Sequence, residues 1–172
     1  MKKDNWILTI FVLAFLLSFL FSTFANLLSN VNIVVMVIIL IVVVFIGIIF
    51  DMIGVAVLSA NEASFHAKAA NKIYGAKKCV ELIKNANKTS TVCNDVVGDI
   101  CGIISGALAA SLVILLWDTT IFNIILTAII SSVTVGSKAI GKKIAIKHAD
   151  NIIFKVGKVL TKIDIHKEKK TK

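Results

Sequence analysis

The sequence predicts an all-α integral membrane protein with four transmembrane helices, a cytosolic helical hairpin and a C-terminal amphipathic juxtamembrane helix. Of its 172 residues, 58% are hydrophobic, 17% are charged and none is proline, and the mean hydropathy is +0.92. A soluble domain is usually about 45–50% apolar. Four apolar stretches account for the excess, and each is close to or above the roughly 20 residues that cross a bilayer core: residues 6–28, 32–60, 96–117 and 119–137.

The positive charges are segregated along the chain, and they determine the predicted topology. All 19 basic residues are lysines, and the net charge is +9. They fall at residues 2–3, 68–88 and 138–172, outside the four apolar stretches. Because lysine-rich segments stay on the cytoplasmic side, we expect a plasma membrane protein with both termini cytosolic. A cleavable signal peptide over residues 1–25 is the alternative, although this apolar run is longer than a typical signal sequence.

Composition divides the chain into three parts. Residues 1–30 contain the first transmembrane helix, which is apolar on every face and carries little chemistry. Residues 31–160 form the main transmembrane domain, and residues 161–172 form a basic cytosolic tail. Within the main domain, residues 61–94 are rich in alanine, lysine and asparagine, which predicts a cytosolic helical hairpin divided at Gly75.

The second and third spans carry features that indicate helix packing. A helix over residues 32–60 would be about 43 Å long, so we expect it to tilt, break or protrude. Residues 88–94 interrupt the helical pattern, and Asn94 with Asp95 makes a plausible N-terminal cap for the third span. Three glycines then recur at every fourth position, which favours close approach of another helix over simple local unwinding: Gly98, Gly102 and Gly106.

The fourth span is the most polar, and it leads into a basic region. Its hydroxyl and amide side chains predict contacts with other helices rather than with lipid. Beyond residue 137, lysines alternate with aliphatic residues, which is typical of a helix on a membrane surface. We therefore expect Lys138 to Lys172 to bind anionic lipid headgroups. Nucleic-acid binding is disfavoured, since arginine is absent and the interleaved aliphatic residues suit lipid better than bases.

Four acidic residues lie in or beside the second and third spans: Asp51, Glu62, Asp95 and Asp99. An ionised side chain at membrane depth costs at least ~2.5–3.5 kcal/mol on insertion scales, so it needs a partner or a function. No lysine accompanies these residues within the apolar stretches. A bound cation is therefore the predicted source of the compensating positive charge.

Each of these acidic residues also has a structural interpretation. Asp95 would stabilise the positive N-terminal end of a helix. Glu62 is an ordinary residue for the interface between membrane and water. His66 is four residues from Glu62 and can hydrogen-bond to it. The apolar neighbours of Asp51 make a purely structural role harder to argue, and the same holds for Asp99. A possible second polar site combines Asp51, His66, Asn94 and Asp95.

Catalysis is not expected from this sequence. It contains no G-x-S-x-G, H-E-x-x-H, P-loop or dinucleotide-binding motif. The three histidines are far apart in sequence. The three cysteines show no metal-binding spacing, so we expect reduced thiols rather than a zinc site or a disulfide framework.

Short motifs in the second to fourth spans follow a familiar order. Residues 59–64, Ser-Ala-Asn-Glu-Ala-Ser, are similar to a Ser-Gly-x-Glu-Thr-Ala motif, and residues 97–100 are similar to Ile-Gly-Asn-Thr. Residues 75–78 occupy the position of a Gly-Asp-Lys-Arg turn. Together they resemble the transmembrane domain of the cyclin M and CorC magnesium transporters. The family's third motif, Gly-Glu-x-x-Pro-Lys, corresponds to residues 136–142, which lack its glutamate and proline, and its CBS domains are not among these 172 residues.

The resemblance implies a small homodimeric protein that binds or transports a divalent cation, with Mg²⁺ as the expected ion. Oxygen ligands suit Mg²⁺. Two other classes stay open. One is a non-transporting scaffold or partner subunit that assembles through the glycine-rich helix face, and the other is a lipid-handling protein whose lysines gather anionic headgroups. The candidate metal ligands are Ser59, Asn61, Glu62 and Asp99.

Overall fold

The computed structural model describes residues 2–28, 32–116 and 120–170. These segments contain eight α-helices and one π-helical segment, and they contain no strands. The elements are α1 (Lys2–Leu28), α2 (Ile33–Ser59), α3 (Glu62–Ala70), α4 (Ala76–Lys84), α5 (Ala86–Thr91), the π segment (Val92–Gly98), α6 (Asp99–Leu116), α7 (Thr120–Lys147) and α8 (Ala149–Lys170).

Three helices are long and apolar enough to cross a membrane. They are α2, the continuous helix Ala86–Leu116 and α7, which contain 27, 31 and 28 residues. In α1, the described apolar stretch is the shorter Trp6–Leu20. Among the described residues, the second, third and fourth predicted spans are therefore helices long and apolar enough to cross a membrane, while the first predicted span, in α1, stays a prediction.

Helix α2 lies at the centre of the membrane part of the fold. It packs against α6, α7 and the π segment, and α1 packs against α6. The buried cluster between them is aliphatic, with Met36 of α2 and Leu108 of α6 almost completely enclosed. Apolar side chains on the outer faces of α2 and α7, such as Phe45 and Val133, are exposed. This outward apolar surface is what a lipid-facing bundle presents.

The hairpin and α8 form a second packed layer at one end of the bundle. Helices α3 and α4 flank the turn that ends at Gly75, where φ is +86°, a backbone conformation that glycine adopts without strain. Helix α8 packs on both α4 and α2. Its Ile153 is fully buried against Phe65 of α3 and Cys79 of α4. Part of the apolar face that the sequence assigned to the lipid surface is thus buried within the protein.

The predicted cap of the third span is wrong. The long helix begins at Ala86 and runs through the π segment, so Asn94 lies inside a helix. No glycine or proline occurs between residues 86 and 97, so nothing in this polar stretch breaks the helix. The Asn94 amide donates to the Ser90 hydroxyl, 3.2 Å away, instead of capping an N-terminus. The hairpin therefore ends near Lys84, ten residues before the predicted boundary at residue 94.

Candidate functional site: a buried charged pair between three spans

A carboxylate and an ammonium group meet inside the bundle. Asp51, eight residues before the end of α2, is 3% exposed. The Lys138 Nζ atom of α7 lies 3.3 Å from Asp51 Oδ2, and it donates a hydrogen bond of 2.7 Å to the Gly98 carbonyl oxygen. One lysine therefore connects α7 to α2 and to the junction between the π segment and α6.

This pair corrects the expectation that no lysine accompanies the membrane carboxylates. The charge pattern predicts a juxtamembrane position for Lys138, but α7 continues as one helix to Lys147, so Lys138 lies within it. The flexible aliphatic part of a lysine side chain can place its ammonium group several ångströms from the backbone. Lys138 is also four residues, or about one helical turn, before the next lysine, Lys142. This separation from the other lysines of α7 is the sequence feature that could have indicated that Lys138 belongs to the fourth span.

Glycine residues allow the helices to approach at this point. A Cβ atom at Gly98 would collide with Asp51 Oδ1 and would lie 3.3 Å from the Cys93 carbonyl oxygen. A Cβ atom at Gly47 would lie 3.0 Å from Cys101 Cβ and 3.7 Å from Lys138 Cε. A side chain at either position would therefore separate α2 from the third span or displace the charged pair.

The predicted glycine stripe does not form one continuous helix contact in the described chain. Gly98 lies against Asp51, and a Cβ atom at Gly102 would be 3.7 Å from Lys138 Nζ. A Cβ atom at Gly106 would have nothing within 4 Å. The first two glycines therefore make room for the charged pair, while the third faces open space.

A second polar side chain lies beside the pair. The Asn94 Oδ1 atom is buried, and among the described residues it has no hydrogen-bond partner. It lies directly against Gly54, where any Cβ atom would collide with it. Gly54 follows Asp51 by three residues, a rise of about 4.5 Å along α2. An unpaired buried amide oxygen is costly, and it is a good ligand for a cation or a water molecule.

The π segment explains why Asn94 is directed towards α2. A π turn inserts an extra residue into the helix and changes the direction of the side chains around it, and such segments are frequent at functional sites. Here it spans Val92–Gly98, so it contains both Asn94 and the carbonyl that accepts from Lys138. Sequence patterns do not distinguish a π segment from an α-helix, so this geometry was not predictable.

The predicted metal ligands in the hairpin have other contacts. The Asn61 side-chain oxygen caps α3 by accepting from the Ser64 backbone N–H at 3.4 Å, and the Asn61 backbone N–H donates to Asp150 Oδ1 at 2.8 Å. Glu62 Oε1 lies 3.2 Å from His66 Nε2, and both side chains are about half exposed. Ser59 is exposed at the end of α2.

The two acidic residues at the start of the third span, Asp95 and Asp99, are both exposed. Helix α3 packs on α4, whereas α6, which begins at Asp99, packs on α1, α2, α7 and the π segment. Extensive packing between the helices of Glu62 and Asp99 is therefore not found in the described chain. Within those same segments, no group of three or more His, Cys, Asp or Glu residues is placed to hold a metal ion. The predicted ligand set stays a prediction.

The possible second polar site is divided by the structure. Asp51 and Asn94 lie on facing sides of the contact between α2 and the π segment. His66 lies with Glu62 on the hairpin, and Asp95 is exposed. Of the four residues, the fold therefore brings together only Asp51 and Asn94.

The fold and this site define a class: an all-helical protein, over the residues that the structure describes, with three helices of membrane-spanning length and a charged pair buried between them. Comparisons with protein-family models, curated proteins and solved structures find no match to this chain.

Proposed function

We propose that this chain is an integral membrane protein that binds a divalent cation at Asp51 and transports it across the membrane. Mg²⁺ is the first candidate. The site combines the Asp51 carboxylate, the Gly98 carbonyl and the Asn94 Oδ1 atom. It lies inside the bundle, not at the exposed residues Glu62 of the hairpin and Asp99 of α6. We place the site at Asp51 because its carboxylate is the only buried one in the described spans.

The unpaired Asn94 oxygen is the observation that carries the proposal. Asn94 Oδ1 is buried without a donor against Gly54, within one turn of Asp51 along α2, so it could supply a second oxygen ligand for a cation bound at Asp51. The Gly98 carbonyl adds a third oxygen in the same interface. Mg²⁺ commonly keeps several water molecules and takes only one or two carboxylates from a protein, so three protein oxygens are sufficient.

Lys138 has a defined part in this proposal. Its ammonium group contacts two of the three proposed ligands, so it fills the place of the cation and keeps the site neutral. A divalent cation would have to displace it. The side chain is 17% exposed and long, so it can withdraw without unfolding α7. Cation binding and the Asp51 to Lys138 contact are therefore mutually exclusive.

The test is thermal stabilisation of the purified protein by Mg²⁺, Ca²⁺, Mn²⁺ and Na⁺. We expect divalent ions to raise the melting temperature of the wild type and to have no effect on Asp51→Asn. The matched controls, Glu62→Gln and Asp99→Asn, should respond as the wild type does, since both residues are exposed. Equal responses in Asp51→Asn and wild type would exclude the site. Selective loss of the response in Glu62→Gln and Asp99→Asn would instead place the site at Glu62 and Asp99.

The second candidate function is a non-transporting scaffold or partner subunit. The same ion pair favours it, because Asp51 and Lys138 already balance each other's charge. In that case the pair fixes the register of α2 and α7, and no cation changes the stability of any variant. Crosslinking in membranes would then show whether the chain assembles as a homodimer or with another protein.

We also propose a cytosolic location for both termini and the hairpin in a plasma membrane protein. Lys88 Nζ lies 5.1 Å from the centre of the Trp6 ring, so the start of α1 and the start of the third span lie at the same end of the bundle. The lysine-rich α8 also packs on the hairpin. The structure therefore supports one basic end, as the positive-inside rule requires.

A further inference from the structure

A group of lysines joins the hairpin to α8 at the basic end of the bundle. The turn that ends at Gly75 lies directly on α8, since a Cβ atom at Gly75 would be 2.9 Å from the Lys158 backbone nitrogen. The ammonium groups of Lys68, from α3, and of Lys158 both lie over the Phe154 ring, 5.2 and 4.2 Å from its centre. With three exposed lysines of the same turn and helix, they form the basic patch: Lys68, Lys72, Lys155, Lys158 and Lys162.

The two central lysines of the basic patch have aromatic partners but no acidic ones. In the described part of the hairpin and α8, the ion pairs are made by Lys78 and His66. Lys68 and Lys158 contact aromatic rings and have no carboxylate within 4 Å among those residues. Two like charges held at one ring repel each other, and an anion between them would remove the repulsion. A phosphate group suits this position, because lysine ammonium groups donate strong hydrogen bonds to its oxygens.

Apolar side chains border the basic patch where the turn meets α8. Ile73 and Tyr74 of the turn are 42% and 49% exposed, and Val159 and Ile163 of α8 are 58% and 47% exposed. Both pairs adjoin in sequence the contact between the turn and Lys158. Lysines around exposed aliphatic and aromatic side chains are typical of a surface that enters the headgroup layer of a membrane, where tyrosine is enriched.

The basic patch lies within reach of the membrane surface. Asn61, two residues beyond the end of α2, donates its backbone N–H to Asp150 in the first turn of α8. Lys158 follows Asp150 by eight residues, so α8 carries it at most about 12 Å from the level at which α2 ends. Helix α8 also packs on α2 itself, so its first turns lie beside the end of the bundle. The length of a lysine side chain covers much of the remaining distance to the headgroups.

We infer that the basic patch binds the phosphate of an anionic phospholipid headgroup, with Lys68 and Lys158 as its donors and with Tyr74 and Val159 in the interfacial layer. The sequence predicts lipid contact from the lysines of α7 and α8 alone. This site also needs the hairpin, because Lys68 and the turn supply half of it. The inference goes beyond the proposed function, since it involves no divalent cation.

The first experiment compares two lipids as stabilisers of the detergent-purified protein, with a chelator present. Phosphatidylglycerol and phosphatidylcholine with the same acyl chains are added to wild type and to the double variant Lys68→Gln with Lys158→Gln. The control is Lys84→Gln with Lys143→Gln, which removes two exposed lysines outside the basic patch. We expect phosphatidylglycerol to raise the melting temperature of wild type and control by several degrees more than phosphatidylcholine does. The patch variant should lose at least half of this difference.

Three results of this comparison would overturn the inference. The first is full retention of the lipid difference in the patch variant, and the second is an equal loss in the control, which would indicate a general effect of net charge. The third is equal stabilisation by inorganic phosphate alone, because the ligand would then be a soluble anion. Each variant is compared with itself in the two lipids, so a change in its own stability cancels.

A nitroxide label on Tyr74→Cys tests the membrane contact with all lysines of the basic patch intact. In bilayers that contain phosphatidylglycerol, oxygen relaxes labels in lipid, and a neutral nickel chelate relaxes labels in water. We expect a depth between that of a label on Phe45→Cys, an exposed apolar position of α2, and that of free label. Labelled wild type measures the background from the buried cysteines.

A label at Tyr74→Cys that is as accessible to the nickel chelate as free label would overturn the inference, and an acidic protein segment would then fit the basic patch better than a lipid does. Neither experiment depends on Mg²⁺. Failure of Mg²⁺ stabilisation would therefore leave both results unaffected, and the two proposals fail separately.

Discussion

Asp51 and Lys138 depend on each other because each is a charge removed from water. Removing one partner of a buried pair leaves an uncompensated charge, at a cost of about 3–5 kcal/mol, whereas replacing both with uncharged residues costs much less. We therefore predict that Asp51→Asn and Lys138→Met each strongly destabilise the protein, and that the double variant is more stable than either.

Unfolding in mixed micelles would measure this double-mutant cycle, with Lys142→Met as the control, since Lys142 is exposed one turn further along α7. Additive effects of Asp51→Asn and Lys138→Met would show that the two charges are not coupled.

The glycines of the third span should differ in their tolerance of a side chain. A Cβ atom at Gly98 collides with the Asp51 carboxylate, while one at Gly106 meets nothing within 4 Å. We expect Gly98→Ala to lower stability by about 1–3 kcal/mol, as overpacking does, and Gly106→Ala to be neutral or slightly stabilising through helix propensity. Thermal unfolding compares the two. If Gly98→Ala and Gly106→Ala unfold at the same temperature, α2 and the third span do not approach most closely at Gly98.

At the scale of elements, α8 is held to α4 by contacts around Cys79. The Cys79 Sγ atom lies 3.3 Å from the Gly75 carbonyl oxygen and 3.4 Å from the Ile153 carbonyl oxygen, and these two acceptors share its one S–H donor. A Cβ atom at Gly157 would collide with that sulfur. At the surface, Lys78 Nζ lies 2.9 Å from both Glu81 and Asp164, and hydrogen bonds to these carboxylates raise the pKa of the lysine. The hairpin and α8 therefore form one packed unit.

The reactivity of Cys79 reports whether this unit is intact. Burial raises the pKa of the Cys79 thiol, so less thiolate is present near neutral pH than for a free cysteine. We predict slow alkylation at pH 7 that increases only as the pH rises well above about 8.5, the ordinary value. Stability gained by burying the neutral thiol is present below that value and is lost as the pH rises through the raised pKa.

Gly157→Ala should separate α8 from α4 and speed alkylation of Cys79 several-fold at pH 7. Peptide mass spectrometry distinguishes Cys79 from the other two cysteines, and Gly136→Ala is the control, because nothing lies within 4 Å of a Cβ atom there. If Cys79 in Gly157→Ala reacts no faster than in the control, α8 does not protect it.

The elements differ in how far the sequence predicts them. Apolar length predicts α2, the third span and α7, because a bilayer requires long hydrophobic helices. The turn at Gly75 separates α3 from α4, as the composition of residues 61–94 predicts. The cap at Asn94 is wrong because polar residues alone do not end a helix. The contact between Asp51 and Lys138 joins residues on separate helices, and hydropathy contains no information about which helices are neighbours.

For the whole molecule, the basic segments should lie on one side of the membrane. We predict that a membrane-impermeant maleimide labels Lys88→Cys from the cytosolic side and Thr120→Cys from the opposite side, since a membrane-spanning helix separates them. Sealed vesicles of known orientation make the measurement. Labelling of both positions from the same side would contradict the proposed topology.

The most direct test of the central claim is the Mg²⁺ affinity of Lys138→Met, measured by titration calorimetry beside wild type and Lys142→Met. If the ammonium group and the cation compete for Asp51, removing the ammonium should tighten Mg²⁺ binding at least tenfold, which corresponds to about 1.4 kcal/mol, and Lys142→Met should bind as wild type does. Unchanged or weaker Mg²⁺ binding by folded Lys138→Met would contradict the claim that Lys138 occupies the place of the cation.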